Sequence, residues 1–228
     1  MMGFIAEAGI TTLALDIDGT LYSRFQLNTR MIRSLFPNVR LAIAFNRVRK
    51  EVRRIQDEYP PDDETREGFL DRQAALVAER YKKDVGMVKE LIDTQFYQAW
   101  EQTFTTITPF PHLRETLEQV KSEGVRIILF SDFPIAEKPT TLGIADLVDD
   151  AFTSEESGYL KPSVKAFEYL IGKSGAERSK ILYIGDSYDK DCVGAADAGL
   201  VSWYLGKKKA GPKASRSFAS WSEIKAVI

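Results

Sequence analysis

Short apolar runs that each end in acidic or hydroxyl residues are the feature of this sequence that most restricts its fold. Their length and their aliphatic content are typical of buried strands. The candidate strands are residues 11–16, 125–130, 181–184 and 200–205, with 151–153 as a weaker fifth. Helical patterns separate the later strands and cover residues 112–123, 163–173 and 190–198. Because strand and helix alternate, we predict an α/β core with a Rossmann-like, doubly wound and mostly parallel sheet.

Residues 22–108, called the insertion below, interrupt this alternation. They contain no convincing strand, and apolar residues at positions 41, 45, 48, 52 and 55 share one helical face. The same spacing recurs over residues 70–81 and 88–99, and Asn28 and Thr29 are placed to cap a shorter first helix that reaches residue 36. We therefore predict a four-helix domain inserted into an α/β core of residues 1–21 and 109–228.

The composition excludes several kinds of site and partner. The 228 residues include 31 Lys and Arg against 33 Asp and Glu, and this net charge of −2 argues against a general nucleic-acid binder. With one cysteine, Cys192, and one histidine, His112, the chain can form neither an internal disulfide nor a Cys/His zinc site. No apolar run approaches the roughly 18 residues of a membrane span. Since the first ten residues also lack a basic signal region, we expect a cytoplasmic protein without membrane contact.

Charge is unevenly distributed along the insertion. Residues 24–54 carry nine Arg or Lys and one acid, Glu51, for a net charge of +8. Residues 57–101 carry twelve acids and six bases, for a net charge of −6. The basic stretch could attract an anionic substrate. Charge runs more often mark solvated helix faces, so the favoured interpretation is that the basic and acidic helices face each other or water.

Polar side chains follow the predicted strands at the places where ligands bind in α/β proteins. Asp16 and Asp18 follow the first strand, Ser131 the second and Asp186 the third, and Lys161 precedes a helix between the last two. The carboxyl ends of parallel strands form one edge of the sheet, so these groups should meet there. Oxygen ligands without His or Cys favour Mg²⁺, and such an ion with a lysine and a serine makes a cradle for a phosphoryl group.

This set of side chains suits phosphoryl transfer. Asp16 could act as a carboxylate nucleophile, while Asp18 protonates the leaving oxygen and then deprotonates the attacking water. Gly19 and Thr20 add a flexible turn with free backbone N–H groups for the phosphate. Each motif also has a structural interpretation, since Asp-Gly is a common turn, the serine could cap a helix, and the lysine could be exposed before a helix-starting proline. The order in which all of them occur favours the catalytic interpretation.

The ordered motifs resemble those of the haloacid dehalogenase superfamily of phosphohydrolases. They are DIDGTL from Asp16, ILFSD ending at Asp132, the Lys161-Pro162 pair, and GDSYDKD from Gly185 followed by GAADAG. The resemblance extends from about residue 11 to residue 205 and is specific as a set. It implies a catalytic α/β core, and it implies that the insertion is a mobile cap that closes over the active site and selects the substrate.

Carried over residue by residue, the resemblance assigns a role to each motif. Asp16 would be the nucleophile and a magnesium ligand, and Asp18 would be the acid/base whose backbone carbonyl also binds the metal. Ser131 and Lys161 would hold the phosphoryl group, and Asp186 would be the third protein ligand.

Further residues of these motifs are assigned to the surroundings of the site. Asp191 and Asp189 would support the metal shell. Asp132 stands in the phosphate-binding motif where many members carry Asn, and its carboxylate could repel certain substrates or bind a cationic group. Lys190 also replaces a common Asn, at a helix start where we expect little consequence.

These expectations define one leading function and three that compete with it. We expect a Mg²⁺-dependent phosphohydrolase that cleaves a small phosphate monoester through an aspartyl phosphate. A phosphotransferase or phosphomutase would pass the same phosphoryl group to another hydroxyl. A 2-haloacid dehalogenase fits less well because it would generally lack the acid at position 18, and a non-catalytic phospho-receiver fits less well because it has no large helical insertion. The substrate stays open between a sugar phosphate, a phosphoglycolate-like acid and a nucleotide, and the oligomeric state is open as well.

Overall fold

The strands of the core form one parallel sheet. The structure, a computed structural model, describes residues 3–31, 39–104, 106–208 and 210–228. Within these residues the strands are β1 Thr12–Leu15, β2 Arg126–Ser131, β3 Asp150–Thr153, β4 Ile181–Gly185, β5 Val201–Leu205 and β6 Arg216–Phe218. Neighbouring strands are parallel throughout, in the order β3-β2-β1-β4-β5-β6. The predicted parallel sheet is confirmed.

The three central strands end level with one another. Leu15 of β1 pairs with Leu129 of β2 and with Ile184 of β4. Every residue of β1 and β4 is buried, which is typical of parallel strands covered on both faces and explains why they read as continuous apolar runs. Because the register is shared, the polar residues that follow these strands emerge together at one edge of the sheet.

Helices cover both faces of the sheet. In chain order, the α-helices of the described residues are α1 Phe4–Ala8, α2 Arg24–Met31, α3 Val39–Ile55, α4 Arg66–Tyr81, α5 Val85–Ile92, α6 Ala99–Phe104, α7 Leu113–Ser122, α8 Lys138–Thr141, α9 Val164–Ser174, α10 Val193–Asp197 and α11 Trp221–Lys225. One face packs against α1, α7 and α11, through side chains such as Ile5, Leu117 and Trp221. The opposite face packs against α9 and α10, through Phe167 and Ala195. This two-sided cover confirms the predicted doubly wound core.

The insertion contributes α2 to α6 and has a hydrophobic core of its own. A π-helical turn, Asp93–Gln98, joins α5 to α6. Four of the five positions on the predicted apolar face of α3 are buried in this core, and the fifth, Ile55, is partly exposed. The core also takes residues of α4, α5 and the turn, and its members include Leu41, Phe45, Val48, Val52, Phe69, Val77, Val88, Ile92 and Phe96. The two ends of the insertion lie side by side, because Tyr22 at its start forms a β-bridge with Pro109, the residue that follows its end.

The predicted start of the first inserted helix was wrong. Its first helical residue is Arg24, and Asn28 and Thr29 lie within the helix instead of capping it. The hydroxyl of Thr29 donates to backbone carbonyls one turn earlier, at 2.9 and 3.0 Å, as a threonine in a helix interior does. The continuation of this predicted helix, residues 32–36, lies outside the described residues.

Four short helices and strands had no counterpart in the sequence patterns. Three of them, α1, β6 and α11, together complete one face and one edge of the sheet, and the fourth is α8 in the connection after β2. In β6, the guanidinium of Arg216 lies 4.5 Å from the ring centre of Phe4 in α1. Among the described residues, no helix combines the length and the hydropathy that crossing a bilayer requires.

Candidate active site

The carboxyl edge of the sheet and the insertion enclose a cavity of about 450 Å³. The core lines it with Asp16, Asp18, Ser131, Asp132, Lys161 and Asp191, besides other residues. The described residues that line it from the insertion are Arg24, Leu27, Asn28, Met31, Asn46, Tyr97, Glu101 and Phe104. The cavity therefore has a charged floor on the core and a mixed polar and apolar roof on the insertion.

Asp16 lies directly after β1 and belongs to a cluster of three acids. Carboxylate oxygens of Asp16, Asp186 and Asp191 all lie within 4.8 Å of one another. Asp16 Oδ1 accepts a hydrogen bond from Lys161 Nζ at 2.7 Å, and Oδ2 accepts one from the hydroxyl of Thr20 at 2.9 Å. Asp191, which was assigned to the support of a metal shell, is thus a member of the cluster itself.

The crowding of carboxylates raises two of their pKa values. Burial raises the pKa of Asp16 to about 7; Lys161 opposes this rise, and the charges of Asp191 and Asp186 add to it. Burial raises the pKa of Asp186 to about 6; the positive charge of Arg24 opposes this rise, and the negative charge of Asp191 adds to it. Like charges this close need a neighbouring cation if all three acids are to ionise at neutral pH.

Lys161 supplies one such cation from within the core. Its side chain is buried, and Nζ donates to Asp16 at 2.7 Å, to Asp191 at 2.7 Å and to the hydroxyl of Tyr183 at 2.9 Å. The interpretation of an exposed lysine before a helix-starting proline is wrong, because Lys161 is buried and α9 begins only at Val164. Burial alone would lower the pKa of Lys161, but the negative charges of Asp16 and Asp191 outweigh burial and keep this pKa well above its usual value. Lys161 therefore stays charged.

Asp18 lies two residues further along and has a different environment. Its Oδ1 accepts hydrogen bonds from the hydroxyl of Tyr22 and from Lys138 Nζ, the latter at 3.0 Å. The hydroxyl of Ser131 lies 3.5 Å from Oδ2, at the long end of hydrogen-bond range. Burial favours the neutral acid, but Lys138 and Tyr22 outweigh it and lower the pKa of Asp18. The two aspartates that follow β1 therefore have opposite pKa shifts.

Tyr22 and Lys138 were not predicted as site residues. Tyr22 was assigned to the insertion, yet it is fully buried next to Asp18. Lys138 is the first residue of α8, in the connection that follows β2, and its ammonium lies 4.2 Å from the ring centre of Phe104 in the insertion. The sequence signal for Lys138 is weak, because a lysine followed by proline at a helix start is common on protein surfaces.

Gly19 and Thr20 shape the loop beneath the cavity. Gly19 has a φ of +109°, and a Cβ there would lie 2.2 Å from Asp186 Oδ2, so no larger residue fits without displacement. Thr20 holds Asp16 through its hydroxyl, and its carbonyl accepts a hydrogen bond from the indole of Trp221 at 2.8 Å. Neither residue belongs to the cavity wall formed by the described residues. Their contact with phosphate stays a prediction.

Asp132 binds a cationic group of the protein itself, the guanidinium of Arg53. Binding of a cationic group was one of its two predicted roles. Its Oδ2 accepts from Arg53 of α3 at 2.8 Å, and its Oδ1 accepts from the hydroxyl of Ser154 at 2.7 Å and from the backbone N–H of Lys161 at 3.1 Å. Burial favours the neutral acid, but the positive charges of Arg53 and Lys161 outweigh it and hold the pKa of Asp132 far below its usual value. Asp132 is therefore an anionic link between the insertion and the carboxyl edge of the sheet.

A second buried ion pair lies next to this link and is called the Arg49 cluster below. Arg49 of α3, 2% exposed, donates to Glu155 at 2.6 Å, to Gln73 at 2.9 Å and to the backbone carbonyl of Asp132 at 2.6 Å. The hydroxyl of Tyr97 donates to the same glutamate at 2.9 Å. Basic residues of the positively charged stretch thus pair with acids of the core, an arrangement that neither interpretation of that stretch anticipated.

The remaining assigned acid is not brought to the site. Asp189 is exposed in the π-helical turn Tyr188–Cys192 and belongs neither to the acid cluster nor to the cavity wall of the described residues. Its neighbour Lys190 does line the cavity, and burial lowers its pKa. The expectation that Lys190 has little consequence is therefore too simple, because a partly buried cation lines the cavity.

Comparison with known proteins identifies the family. Residues 10–199, most of the chain, match the haloacid dehalogenase-like hydrolases. The chain belongs to this family. A glyceraldehyde 3-phosphate phosphatase from Methanocaldococcus jannaschii is 33% identical over 106 residues, which are 45% of this chain and 46% of that protein. The chain thus spans about half the length of this curated relative.

Two solved structures show that haloacid dehalogenase-like hydrolases of different activity share this fold. A 2-haloacid dehalogenase from Pseudomonas syringae pv. Tomato DC3000 superposes with a TM-score of 0.63 at 18% identity, covering 96% of this chain and 97% of that one. A HAD phosphatase from Thermococcus onnurineus superposes with a TM-score of 0.62 at 20% identity, with the same coverage of 96% and 97%. The fold therefore agrees over its whole length, while the reaction must be argued from the site.

Proposed function

We propose that this haloacid dehalogenase-like hydrolase is a Mg²⁺-dependent phosphatase that hydrolyses a small phosphate monoester through an aspartyl phosphate on Asp16. The observation that carries the proposal is the pair of aspartates after β1. Asp16 lies in the acid cluster, and Asp18 faces the same cavity but is held separately by Lys138 and Tyr22. The phosphatase relative named above, although it aligns over only part of its length, supports a phosphate ester over a carbon–halogen bond as the group that is cleaved.

The acid cluster fits a divalent cation by its donor chemistry. It offers carboxylate oxygens of Asp16, Asp186 and Asp191, the hard ligands that Mg²⁺ takes in phosphoryl-transfer sites. These three oxygens lie within 4.8 Å of one another, so they are close enough to be held by one cation. The backbone carbonyl of Asp18 adjoins the cluster as a fourth donor. A bound Mg²⁺ would supply positive charge to the phosphoryl oxygens.

The first step of the proposed reaction transfers the phosphoryl group to the protein. An oxygen of Asp16 attacks phosphorus, and the bond between phosphorus and the leaving oxygen breaks. Asp18 delivers its proton to that oxygen, so the alcohol leaves neutral. The ammonium of Lys161 and the hydroxyl of Ser131, both at the cavity floor, bind the transferring oxygens.

The second step restores Asp16. A water molecule in the cavity attacks the phosphorus of the aspartyl phosphate, and Asp18 accepts its proton. The bond between phosphorus and Asp16 breaks, and inorganic phosphate leaves. Before the attack, Thr20 and Lys161 each hold one oxygen of Asp16, so the carboxylate is oriented for the first step and returns to these contacts after the second.

In the protein alone, the pKa values of Asp16 and Asp18 stand in the reverse of the order that these roles need, and the charges of a bound cation and a phosphate would correct this order. Burial and neighbouring acids raise the pKa of Asp16, and a cation in the cluster removes that effect and leaves an ionised nucleophile. The pKa of Asp18 is lowered by Lys138 and Tyr22, and a phosphate dianion next to it raises the value toward that of a proton donor.

A substrate screen tests the proposed activity. The purified protein with Mg²⁺ should release inorganic phosphate from members of a panel of sugar phosphates, phosphoglycolate and nucleoside monophosphates, and chelation should stop the release reversibly. A phosphorylated acceptor in place of free phosphate would identify a phosphotransferase. Halide release from a 2-haloacid, with no phosphate released from any ester, would overturn the proposal in favour of a dehalogenase.

The pKa shifts predict how the metal affinity depends on pH. In the metal-free protein the pKa of Asp16 is about 7 and that of Asp186 about 6, so both are protonated at pH 5 and ionised at pH 8. Since a cation must displace these protons, the Mg²⁺ affinity should fall by about tenfold per pH unit from pH 7 to 6, and more steeply below pH 6. Isothermal calorimetry of Mg²⁺ binding from pH 8 to 5.5 measures this. The exposed-site variant Asp189→Asn should show the same slope, and a flat profile in the wild type would contradict the prediction.

A further inference from the structure

Besides Lys161, a second cation lies at the proposed metal site, and it comes from the insertion. Arg24 Nε donates to the backbone carbonyl of Asp18 at 2.8 Å, and Nη2 donates to Asp186 Oδ1 at 2.7 Å. Both acceptors belong to the donor set described above for Mg²⁺. An oxygen lone pair that binds a guanidinium N–H is not available in the same direction to a metal ion, and two cations at one site repel each other.

The position of Arg24 in its own helix gives no reason for this residue to be basic. Arg24 is the first residue of α2, and the first turn of α2 contains no acid. A positive charge at a helix N-terminus is unfavourable, because it faces the positive end of the helix dipole. Contact with the acid cluster offsets this cost, so the placement is explained by the cluster and not by the helix.

The loop beneath the site is shaped to admit the guanidinium. A Cβ on Gly19 would lie 2.5 Å from Arg24 Nε, so the absence of a side chain at this position gives the guanidinium its space. At the same time, the Arg24 side chain is 44% exposed. It can therefore leave toward solvent without disturbing the buried contacts of Lys161.

We propose that Arg24 competes with the metal ion for its ligands. In the metal-free protein the Arg24 guanidinium occupies acceptors of the cluster, and it must be released before the ion can bind. The inference rests on the proposed metal site. Because Leu27, Asn28 and Met31 of the same helix line the cavity, release of Arg24 also links metal uptake to the wall of the substrate cavity. Metal binding and substrate binding are then coupled through one helix.

Metal titration of matched variants tests this inference without any measurement of activity. By calorimetry with Mg²⁺ alone, Arg24→Gln should bind the ion about tenfold or more tightly than the wild type, since the competitor is gone. Arg30→Gln removes the same charge from the same helix, but Arg30 contacts the backbone of Thr106 and Gln26 instead of the cluster. Its affinity should stay within about twofold of the wild type.

Thermal unfolding supplies a second readout with a predicted sign. With a chelator present, Arg24→Gln should unfold at a lower temperature than the wild type, because the three acids of the cluster lose a neighbouring cation. Saturating Mg²⁺ should then raise the Tm of Arg24→Gln by more than it raises the Tm of the wild type. If Arg24 served only to hold Asp186 in place, its removal would leave the affinity unchanged or weaken it, and either result overturns the inference. If neither protein binds Mg²⁺, the proposed metal site itself is wrong and the inference falls with it.

Discussion

The Asp16→Asn variant should keep its fold and lose phosphate-ester hydrolysis by about 10⁴-fold or more. An amide has no anionic oxygen to attack phosphorus, and the proposed reaction has no second nucleophile on the protein. The structure gives a reason why stability should survive the change. Asp16 is one of three crowded acids, so its neutralisation relieves repulsion, while Lys161 keeps its 2.7 Å contact with Asp191.

The measurement is phosphate release under single-turnover conditions, together with the Tm of the variant. A rapid acid quench adds a direct test, because a phosphoprotein should accumulate in the wild type and be absent from Asp16→Asn. Asp189→Asn is the matched control, since it makes the same change on an exposed residue outside the acid cluster, and it should retain activity within about twofold of the wild type. Activity of Asp16→Asn within tenfold of the wild type would exclude Asp16 as the nucleophile.

The convergence of the motif residues could be predicted because it depends on strands alone. Apolar runs identify β1, β2 and β4, and a parallel sheet aligns the ends of its strands. Asp16, Ser131 and Asp186 meet for that reason, whatever the insertion does. Short elements escaped prediction because α1 and α11 have five residues each and β6 has three, too few for a helical or alternating period to be recognised.

The electrostatic partners of the site could not be predicted, because they depend on how the insertion docks. Arg24 and Arg53 of the insertion each bind an acid of the core that is distant in the sequence. A sequence shows that such residues are charged, but the pairing follows from the relative placement of two packed units. The same reason explains why the basic stretch was interpreted as a surface: Arg49 reads as one more basic residue, yet it is almost completely buried.

Replacement of Arg49 by Met should lower the free energy of unfolding by about 3–5 kcal/mol. Aromatic rings surround the Arg49 guanidinium, and the ring centre of Phe133 lies 4.1 Å from its central carbon. The aliphatic chain of Met can occupy part of the space between these rings. The charge is the larger effect, because Glu155 is fully buried and would lose its 2.6 Å partner. Arg66 cannot replace that partner, since its Nε lies 3.7 Å from the other oxygen of Glu155.

A matched control and a double variant separate the charge effect from packing. Arg54→Met removes an exposed arginine from the same helix and should change stability by no more than about 0.5 kcal/mol. The double variant Arg49→Met with Glu155→Met removes both buried charges, so it should be more stable than Arg49→Met alone.

Urea unfolding of five proteins, namely the wild type, Arg49→Met, Glu155→Met, the double variant and Arg54→Met, measures these differences when it is followed by both tryptophan fluorescence and circular dichroism. It also tests whether the insertion and the core unfold together. Coincident transitions are expected for the wild type, because the Arg49 cluster joins α3 and α4 to the segment after β3. In Arg49→Met the transition of the insertion should separate from that of the core and move to lower urea. A loss below about 1 kcal/mol, or a double variant whose loss equals the sum of the two single losses, would show that the buried pair does not join the two units.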